Sequence, residues 1–235
     1  TQRIFKVKGQ ITHLVNHKGS IEQATTAQDS FNRCGWDITL EEGYTPATYT
    51  THPNQYDVME HGRLSRFPLE SQLKADTKRA CVMNHVRFWE KVCFANEPMT
   101  FIEHDAISIN PISPWHFNEV LILNMEYAFD FGALKGKFSN HWLPRPSLIQ
   151  QVRKLPSNYP LICKVPQSPY LGAKMMCGTA AYAITPKAAK KMLDVCAKKG
   201  LEQSDYIIND MNVSLEYVSP SPVSFNSKNL KTSHG

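Results

Sequence analysis

The sequence predicts an α/β fold. Short apolar runs alternate with helical patterns along the 235 residues, and this alternation is typical of α/β proteins. Hydrophobic residues make up 42% of the chain and charged residues 20%, a balance that excludes disorder, collagen-like repeats and coiled coils. A chain of this length can bury a sizeable core, so we expect a single domain over residues 1–235.

The N-terminal third predicts a strand and a helix. Residues 10–16 contain the apolar positions of a first strand. Ser20 and Gln23 have the spacing of a capping box, which predicts a helix with Ser20 as its N-cap. Gly35 is placed to end that helix. Residues 43–75 are polar and poorly periodic, and we expect a long loop there.

A second helix and two strands are predicted in the middle of the chain. Asp76 or Thr77 is expected to cap the helix. Its apolar face, at a spacing of 3.6 residues, contains Cys81, His85, Phe88, Trp89 and Val92. Residues 99–109 are predicted as the central strand, and residues 119–124 as the next one.

The C-terminal third begins with an irregular segment. Residues 144–169 contain six prolines, which predict an excursion over the surface. Residues 179–184 then predict a strand, and Thr185 with Pro186 opens a helix that should end at Gly200. The buried stripe of this helix should contain Ala188, Ala189, Met192, Leu193 and Cys196. A last strand is expected over residues 214–218.

The charge and the cysteines suggest a setting for the protein. The net charge of +5 and the pI of about 8.8 fit an acidic ligand such as a nucleotide or nucleic acid. The six cysteines include no C-x-x-C pair, so we expect free, mostly buried thiols in the cytoplasm. No apolar run approaches the ~18 residues of a membrane span.

The strongest chemical motif is Phe-Ile-Glu-His-Asp at residues 101–105. An apolar strand that ends in acidic residues delivers carboxylates to the carboxyl edge of a sheet, where α/β folds bind ligands. Glu103 and Asp105 can share a Mg²⁺ or Mn²⁺ ion that also holds a diphosphate. His104 can join the metal or lie on the surface. A solvated strand end without a metal is the simpler alternative.

Around this motif the sequence resembles glycosyltransferase family 25, the bacterial lipooligosaccharide and collagen galactosyltransferase family. That family shows G-C-x-x-S-H, an aromatic-rich helix and an apolar strand ending in E-D-D. Residues 80–85 read Ala-Cys-Val-Met-Asn-His, Phe88-Trp89 follows, and the strand ends in Glu-His-Asp. The departures are Ala80, Asn84 and His104.

The resemblance continues downstream in the same order, to about residue 227. Residues 178–182, Gly-Thr-Ala-Ala-Tyr, are similar to the family's G-T-x-x-Y segment. Asp205 falls where the family has p-v-D. Residues 218–223, Val-Ser-Pro-Ser-Pro-Val, resemble the closing v-x-P-x-P-V. Over residues 1–75 the resemblance is thin.

This resemblance implies a GT-A-type nucleotide-sugar-binding fold, with a central mixed sheet flanked by helices. It implies direct displacement with inversion at the anomeric carbon, which needs a general base on the acceptor hydroxyl. We predict Asp205 as the base, with Asp210 as the second choice. Glu103 and Asp105 would hold the metal and the diphosphate.

Further donor-binding residues follow from the same resemblance. Val15 and Asn16, at the end of the first strand, are candidates for base or ribose contacts. Gly178 and Thr179 are candidates for a close approach to the donor sugar, although a simple turn is the alternative. His85 is either a core histidine or a donor contact.

The leading functional hypothesis is therefore a hexosyl- or pentosyltransferase that uses a UDP-sugar or another nucleotide sugar. Its acceptor is either a lipooligosaccharide sugar or a hydroxymethylated, or already glycosylated, pyrimidine in phage DNA. Positive charge and the atypical N-terminal third favour DNA. The competing class is a non-catalytic module that binds sugar or nucleic acid, with metal binding lost through His104. Donor sugar, acceptor and oligomeric state remain open at this level.

Overall fold

The computed structural model describes residues 7–14, 17–62, 64–65, 71–111, 116–125, 155, 157–165, 174–175 and 178–225. The elements, in chain order, are β1 (Val7–Leu14), α1 (Lys18–Arg33), β2 (Trp36–Gly43), a 3₁₀ turn (Tyr49–Thr51), α2 (Gln72–Ala95), β3 (Met99–Glu103), β4 (Ala106–Ser108), β5 (Val120–Ile122), β6 (Leu161–Lys164), β7 (Ala181–Ile184), α3 (Pro186–Lys199), α4 (Ser204–Ile207), β8 (Leu215–Ser219) and β9 (Val223–Phe225).

The centre of the fold is a seven-stranded mixed sheet with the order β2-β1-β3-β7-β5-β8-β6. Strand β1 is parallel to β2 and β3, and β5 is parallel to β8. Strand β7 is antiparallel to both of its neighbours, β3 and β5, and β6 is antiparallel to β8. The predicted α/β class with a central mixed sheet is confirmed. Because β7 runs against β3, its amino end lies beside the carboxyl end of β3.

Helices cover both faces of the sheet. Successive strand residues point to opposite faces, so Phe101 belongs to one core cluster and Ile102 to the other. The first cluster packs against α2 and α3 and includes Phe88, Trp89, Tyr182, Ala189 and Met192. The second packs against α1 and the β4–β9 ribbon and includes Ile11, Ala24, Phe31, Ala106 and Val223. The core therefore has two halves that share one sheet.

The start of α1 differs from the prediction. His17, not Ser20, is the N-cap, and its Nδ1 accepts a hydrogen bond from the Ser20 backbone N–H at 3.0 Å. The Ser20 hydroxyl is used elsewhere, because it accepts a hydrogen bond from the N–H of Leu14 at 2.9 Å. Gly35 follows the helix with a φ of +91°, a conformation that favours glycine, so the predicted end is confirmed.

Strand β2 and the first turn of helix α2 occupy sequence in which no regular structure was predicted. Strand β2 (Trp36–Gly43) alternates between buried and exposed positions, and it pairs with β1 over its full length. Helix α2 begins earlier than predicted, because Ser71 is its N-cap and accepts a hydrogen bond from the N–H of Lys74 at 3.1 Å. Asp76 and Thr77 lie inside the helix, so the predicted caps are wrong. The loop predicted over residues 43–75 is wrong at its end, because the helix begins at Gln72.

The predicted strand over residues 99–109 is divided by a turn at His104 and Asp105. Strand β3 ends at Glu103, and β4 leaves the main sheet to pair with β9. In the predicted irregular segment 144–169, β6 (Leu161–Lys164) is an edge strand of the sheet, which corrects the prediction there.

Helix α3 matches its prediction closely. The hydroxyl of Thr185 accepts a hydrogen bond from the N–H of Ala188 at 3.3 Å, and Pro186 occupies the first turn. Gly200 ends the helix with a φ of +91°. In the predicted stripe Ala188, Ala189, Met192 and Cys196 are buried, and Leu193 is partly buried.

The expectation of mostly buried thiols is wrong. Of the five cysteines that the structure describes, all are free, and Cys196 alone is buried. Cys81, which was predicted on the apolar face of α2, is exposed. Among the described helices, none has both the length and the apolar character needed to cross a membrane.

Candidate functional site

The candidate site lies where β3 ends and β7 begins. Glu103 is the last residue of β3, and its backbone N–H donates a hydrogen bond to the carbonyl of Ala180 at 2.8 Å. The hydroxyl of Thr179 donates a hydrogen bond to Glu103 Oε1, also at 2.8 Å. The antiparallel pairing of β3 with β7 therefore brings two predicted site residues from distant parts of the chain into direct contact.

A second hydrogen bond connects this pair to α4. The hydroxyl of Ser204 donates to Thr179 Oγ1 at 3.3 Å, because the Thr179 proton is already directed to Glu103. Both hydroxyl residues are buried, with Thr179 at 7% and Ser204 at 8% exposure. Ser204 begins α4, and Asp205 follows it in the first turn, with a charge close enough to raise the pKa of Glu103. The structure thus groups Glu103, Thr179 and Asp205.

Gly178 precedes Thr179 with a φ of +79°, in the region that favours glycine. Its carbonyl accepts a long hydrogen bond from the side-chain amide of Asn124 at 3.5 Å. The amide oxygen of Asn124 in turn accepts from the N–H of Ala181 at 3.3 Å. Asn124 is completely buried, so it fixes the path of the Gly178–Thr179 turn. Sequence reasoning placed Asn124 in a strand and missed this positioning role.

The carboxylates at the end of β3 are electrostatically strained. Burial and the nearby Asp105 raise the pKa of Glu103 to about 7, against the opposing effect of the hydrogen bond from Thr179. Burial also raises the pKa of Asp105, and its Oδ1 atom is buried with no hydrogen-bond partner. Two buried acidic groups close together favour the binding of a cation, because the cation would offset their mutual repulsion.

His104 lies in the turn between these two acids and is partly buried. Burial lowers the pKa of its imidazole, and His13 and His17 lower it further. The parallel register places Thr12 opposite Glu103, so His13 and His104 occupy the next positions of the two strands. Three histidines therefore lie near the carboxyl ends of β1 and β3.

Lys78 is a basic residue of this site that sequence reasoning missed. It is partly buried on α2, one turn before Cys81. Burial lowers the pKa of its ammonium group, and the charges of Cys81, Asp205 and Glu103 act to raise it. No periodicity or motif in the sequence marks this lysine, because its partners are distant in the chain.

Other predicted residues lie away from this group. Asp210 is exposed, and its Oδ1 accepts a hydrogen bond from the backbone N–H of Lys174 at 2.9 Å. His85 is 3% exposed, and its Nδ1 lies 2.9 Å from the hydroxyl of Tyr182. Val15 and Asn16 lie outside the described residues.

His85 belongs to an aromatic network beneath the site. The indole N–H of Trp89 donates to the Tyr182 hydroxyl at 2.9 Å, so that hydroxyl directs its own proton to His85 Nδ1. The imidazole packs on Phe101 with ring centroids 4.0 Å apart. Burial lowers the pKa of His85 to about 3, so it is neutral at physiological pH.

The departure at Asn84 has a structural explanation. Its side-chain oxygen accepts a hydrogen bond from the Tyr44 N–H at 2.6 Å, and its amide group donates to the Tyr44 carbonyl at 3.3 Å. Asn84 therefore connects α2 to the segment that follows β2.

Glu103 and Asp105 are the acids of this site that could hold a metal ion. In the part of the chain that the structure describes, no three His, Cys, Asp or Glu side chains form a group that could hold a metal ion. The unpartnered Oδ1 of Asp105 and the carboxylate of Glu103 are oxygen ligands of the type that Mg²⁺ and Mn²⁺ prefer. The chemistry of these residues fits a cation that takes its other ligands from a bound diphosphate and water.

Comparison with protein-family models matches residues 12–208 to glycosyltransferase family 25 (LPS biosynthesis protein). The match extends into the N-terminal third, where the resemblance over residues 1–75 was thin, and it contains Glu103, Thr179 and Asp205 but not Asp210. A search of curated proteins finds no match. With the mixed sheet and the acidic site at its carboxyl edge, the chain belongs to glycosyltransferase family 25.

Proposed function

We propose that the protein transfers a sugar from a nucleotide-sugar donor to a hydroxyl of a saccharide acceptor in lipopolysaccharide synthesis, with inversion at the anomeric carbon. The observation that carries the proposal is the hydrogen-bond chain from Glu103 through Thr179 to Ser204. It connects Glu103 to Ser204, the residue before Asp205, inside the region that matches the family.

Asp205 is the proposed general base. Its carboxylate would accept the proton of the acceptor hydroxyl while the oxygen attacks the anomeric carbon opposite the leaving diphosphate. The bond between that carbon and the diphosphate oxygen breaks in the same step, and its electron pair stays on the diphosphate. The first turn of α4 places Asp205 next to the Thr179–Glu103 pair, which supports this assignment. Asp210 remains the second choice.

Glu103 and Asp105 are the proposed ligands of a Mg²⁺ or Mn²⁺ ion at the donor diphosphate. When bound, such an ion neutralises charge that develops on the leaving diphosphate. Thr179 takes Glu103 Oε1, so Oε2 is the atom offered to a ligand. His104, between the two acids, is a further candidate ligand.

Four further residues are proposed to contact the nucleotide-sugar donor. Gly178 and Thr179 border the acids and would approach the donor sugar. Val15 and Asn16 are proposed to contact the base or ribose. His85 is buried and hydrogen-bonded to Tyr182, so we propose that it packs beneath the site and does not contact the donor.

The structure weakens one argument for a DNA acceptor. A DNA acceptor would need a positive surface such as the lysine face of α3. On that face, however, Lys187 and Lys191 pair with Glu119 at 3.5 and 2.6 Å. Lys190 pairs with Asp194 on the same helix. These two acids offset part of the positive charge of the face, and we propose a saccharide acceptor. The free thiols support action in the cytoplasm.

The proposal is tested by measuring the release of nucleoside diphosphate from a panel of UDP-, GDP- and CDP-sugars, with and without Mn²⁺. Each reaction contains a deacylated lipopolysaccharide saccharide or a hydroxymethylated duplex DNA as acceptor. We expect transfer to the saccharide from one donor, and loss of transfer in Asp105→Asn with a melting temperature no lower than that of the wild type. Transfer to DNA that falls steeply with salt would overturn the saccharide acceptor. Donor binding without transfer, unchanged in Asp105→Asn, would favour the non-catalytic module.

A further inference from the structure

Helix α2 places a lysine, Lys78, near the carboxyl edge of the sheet, where the candidate site lies. Only residues 96–98 separate α2 from β3, so the helix runs back along the strand. His85 packs on Phe101 of β3, with ring centroids 4.0 Å apart. Lys78 lies two helical turns before His85, about 10 Å further toward the carboxyl edge. Glu103 lies two residues beyond Phe101 in the same direction, about 7 Å away. Lys78 and Glu103 therefore reach the same level of the site.

The electrostatics agree with this placement. Lys78 is partly buried, and the acids whose charges act on it are Asp205 and Glu103, the proposed base and a proposed cation ligand. On the same helix face, Lys74 lies one turn before Lys78 and Cys81 one turn after it. Protein surrounds Lys78 closely enough that desolvation is the largest influence on its pKa. A cation in such surroundings interacts with a ligand charge more strongly than a fully solvated lysine does.

We propose that Lys78 binds the diphosphate of the nucleotide-sugar donor. The inference rests on the proposed function and adds a contact that it did not contain. An ammonium group has three N–H donors, so it can hold a carboxylate and a phosphate oxygen together. When no cation is bound, the diphosphate would meet the negative charges of Glu103, Asp105 and Asp205. Lys78 offsets this repulsion on binding and stabilises the diphosphate as its bond to the sugar breaks.

The test compares the binding of inorganic pyrophosphate, of UDP, GDP and CDP, and of the three corresponding nucleosides by calorimetry. The variants are Lys78→Met, Lys78→Arg and, as a matched control, Lys198→Met, which removes an exposed lysine of α3. All titrations are run at one ionic strength, with EDTA and again with Mn²⁺, since a bound cation would share the work of Lys78. Melting temperatures verify that each variant is folded.

We expect Lys78→Met to weaken pyrophosphate and the preferred nucleoside diphosphate roughly 10- to 100-fold, the effect of one hydrogen bond to a charged group. Nucleoside binding should stay within twofold, Lys78→Arg should retain most of the affinity, and Lys198→Met should match the wild type. The loss should be larger in EDTA than in Mn²⁺.

Three results would contradict these expectations, and they are distinguishable. Diphosphate affinity within twofold of wild type in Lys78→Met would overturn the inference and leave the proposed function intact. Equal losses for nucleosides and diphosphates, with a lowered melting temperature, would show that Lys78 acts on the fold, which also overturns it. A wild-type protein that binds none of the nucleotides would contradict the proposed function itself.

Discussion

The hydroxyl of Thr179 donates a 2.8 Å hydrogen bond to Glu103, a residue 76 positions earlier in the chain. The bond acts to lower the pKa of this carboxyl group, which burial and Asp105 nevertheless raise to about 7. The hydrogen bond between Thr179 and Glu103 therefore contributes to the ionisation of Glu103 near neutral pH, and substitutions at either residue should change the chemistry of the site.

Removal of the Thr179 hydroxyl should shift the pH dependence of transfer. If Glu103 acts as a carboxylate, wild-type activity should rise with pH through about 7, the pKa of Glu103. Thr179→Val removes a donor that favours the charged form, so the pKa rises and the acidic limb should move up by roughly one pH unit. Thr179→Ser keeps the hydroxyl and serves as the control. The measurement is kcat/KM against pH, and coincident limbs for Val and wild type would refute the assignment.

Neutralising Glu103 should stabilise the fold while abolishing activity. The folded-state pKa of about 7 exceeds the ordinary value of 4.5, so ionisation of Glu103 favours the unfolded state. This destabilisation is absent below pH 4.5, grows as the pH rises, and is complete above pH 7. Glu103→Gln should therefore melt at least about 2 °C higher than wild type at pH 8. At pH 4 the two should melt together.

The control for Glu103→Gln is Glu22→Gln, which changes an exposed glutamate of α1. Its melting temperature should follow the wild type at both pH values, because the Glu22 side chain is already solvated. A Glu103→Gln variant that is no more stable than wild type at pH 8 would argue against a raised pKa at Glu103.

The two candidate bases should respond differently to amide substitution. Asp205→Asn should lower kcat roughly 10²- to 10⁴-fold, the contribution of general-base catalysis, with little change in donor affinity. Asp210→Asn should stay near wild type, because Asp210 is exposed and an amide oxygen can still accept the hydrogen bond from the Lys174 N–H. Single-turnover rates of the two variants decide between them. The opposite pattern would move the base to Asp210.

The Tyr182 hydroxyl should be required for stability. It is fully buried and connects Trp89 Nε1 with His85 Nδ1, both at 2.9 Å. Tyr182→Phe leaves a buried donor and a buried acceptor without partners, which should lower the free energy of unfolding by about 1–3 kcal/mol. Urea denaturation measures this difference.

Tyr159→Phe provides the comparison for Tyr182. Its hydroxyl donates a hydrogen bond to the carbonyl of Pro111 at 3.3 Å in an exposed setting, where water can replace the lost partner. The free energy of unfolding should change by no more than about 0.5 kcal/mol. A similar loss of unfolding free energy in both variants would show that the buried Tyr182 hydroxyl contributes no more to stability than the exposed Tyr159 hydroxyl.

The sequence predicted those elements whose signals are local. Thr185 with Pro186 marked the start of α3, and Gly200 its end, because capping depends on a few adjacent residues. Strand β2 was missed although Trp36, Ile38 and Leu40 alternate with polar residues, a pattern typical of a half-buried strand. The start of α2 was misplaced because its first turn is exposed, so hydrophobic periodicity appears only further along the helix.

The candidate site was predictable where a motif lies on a strand end. Glu103 and Asp105 follow an apolar strand, and the resemblance to the family added Thr179 and Asp205. Lys78 and Asn124 were missed, because the partners that give them a role come from other strands and from α4. Such contacts depend on strand order, and the position of β7 between β3 and β5 is a long-range property of the fold.

The pairing of β3 with β7 also bears on how the site can change. Ile102 is paired with Ala181, so the spacing of the residues that follow and precede them is fixed by backbone hydrogen bonds. A shift of one strand by two residues would separate Glu103 from Thr179 by about 7 Å. Loop sequences around the site can therefore be exchanged with those of other proteins while this spacing is kept. Chimeras of this kind would alter the choice of donor or acceptor and leave the acidic centre in place.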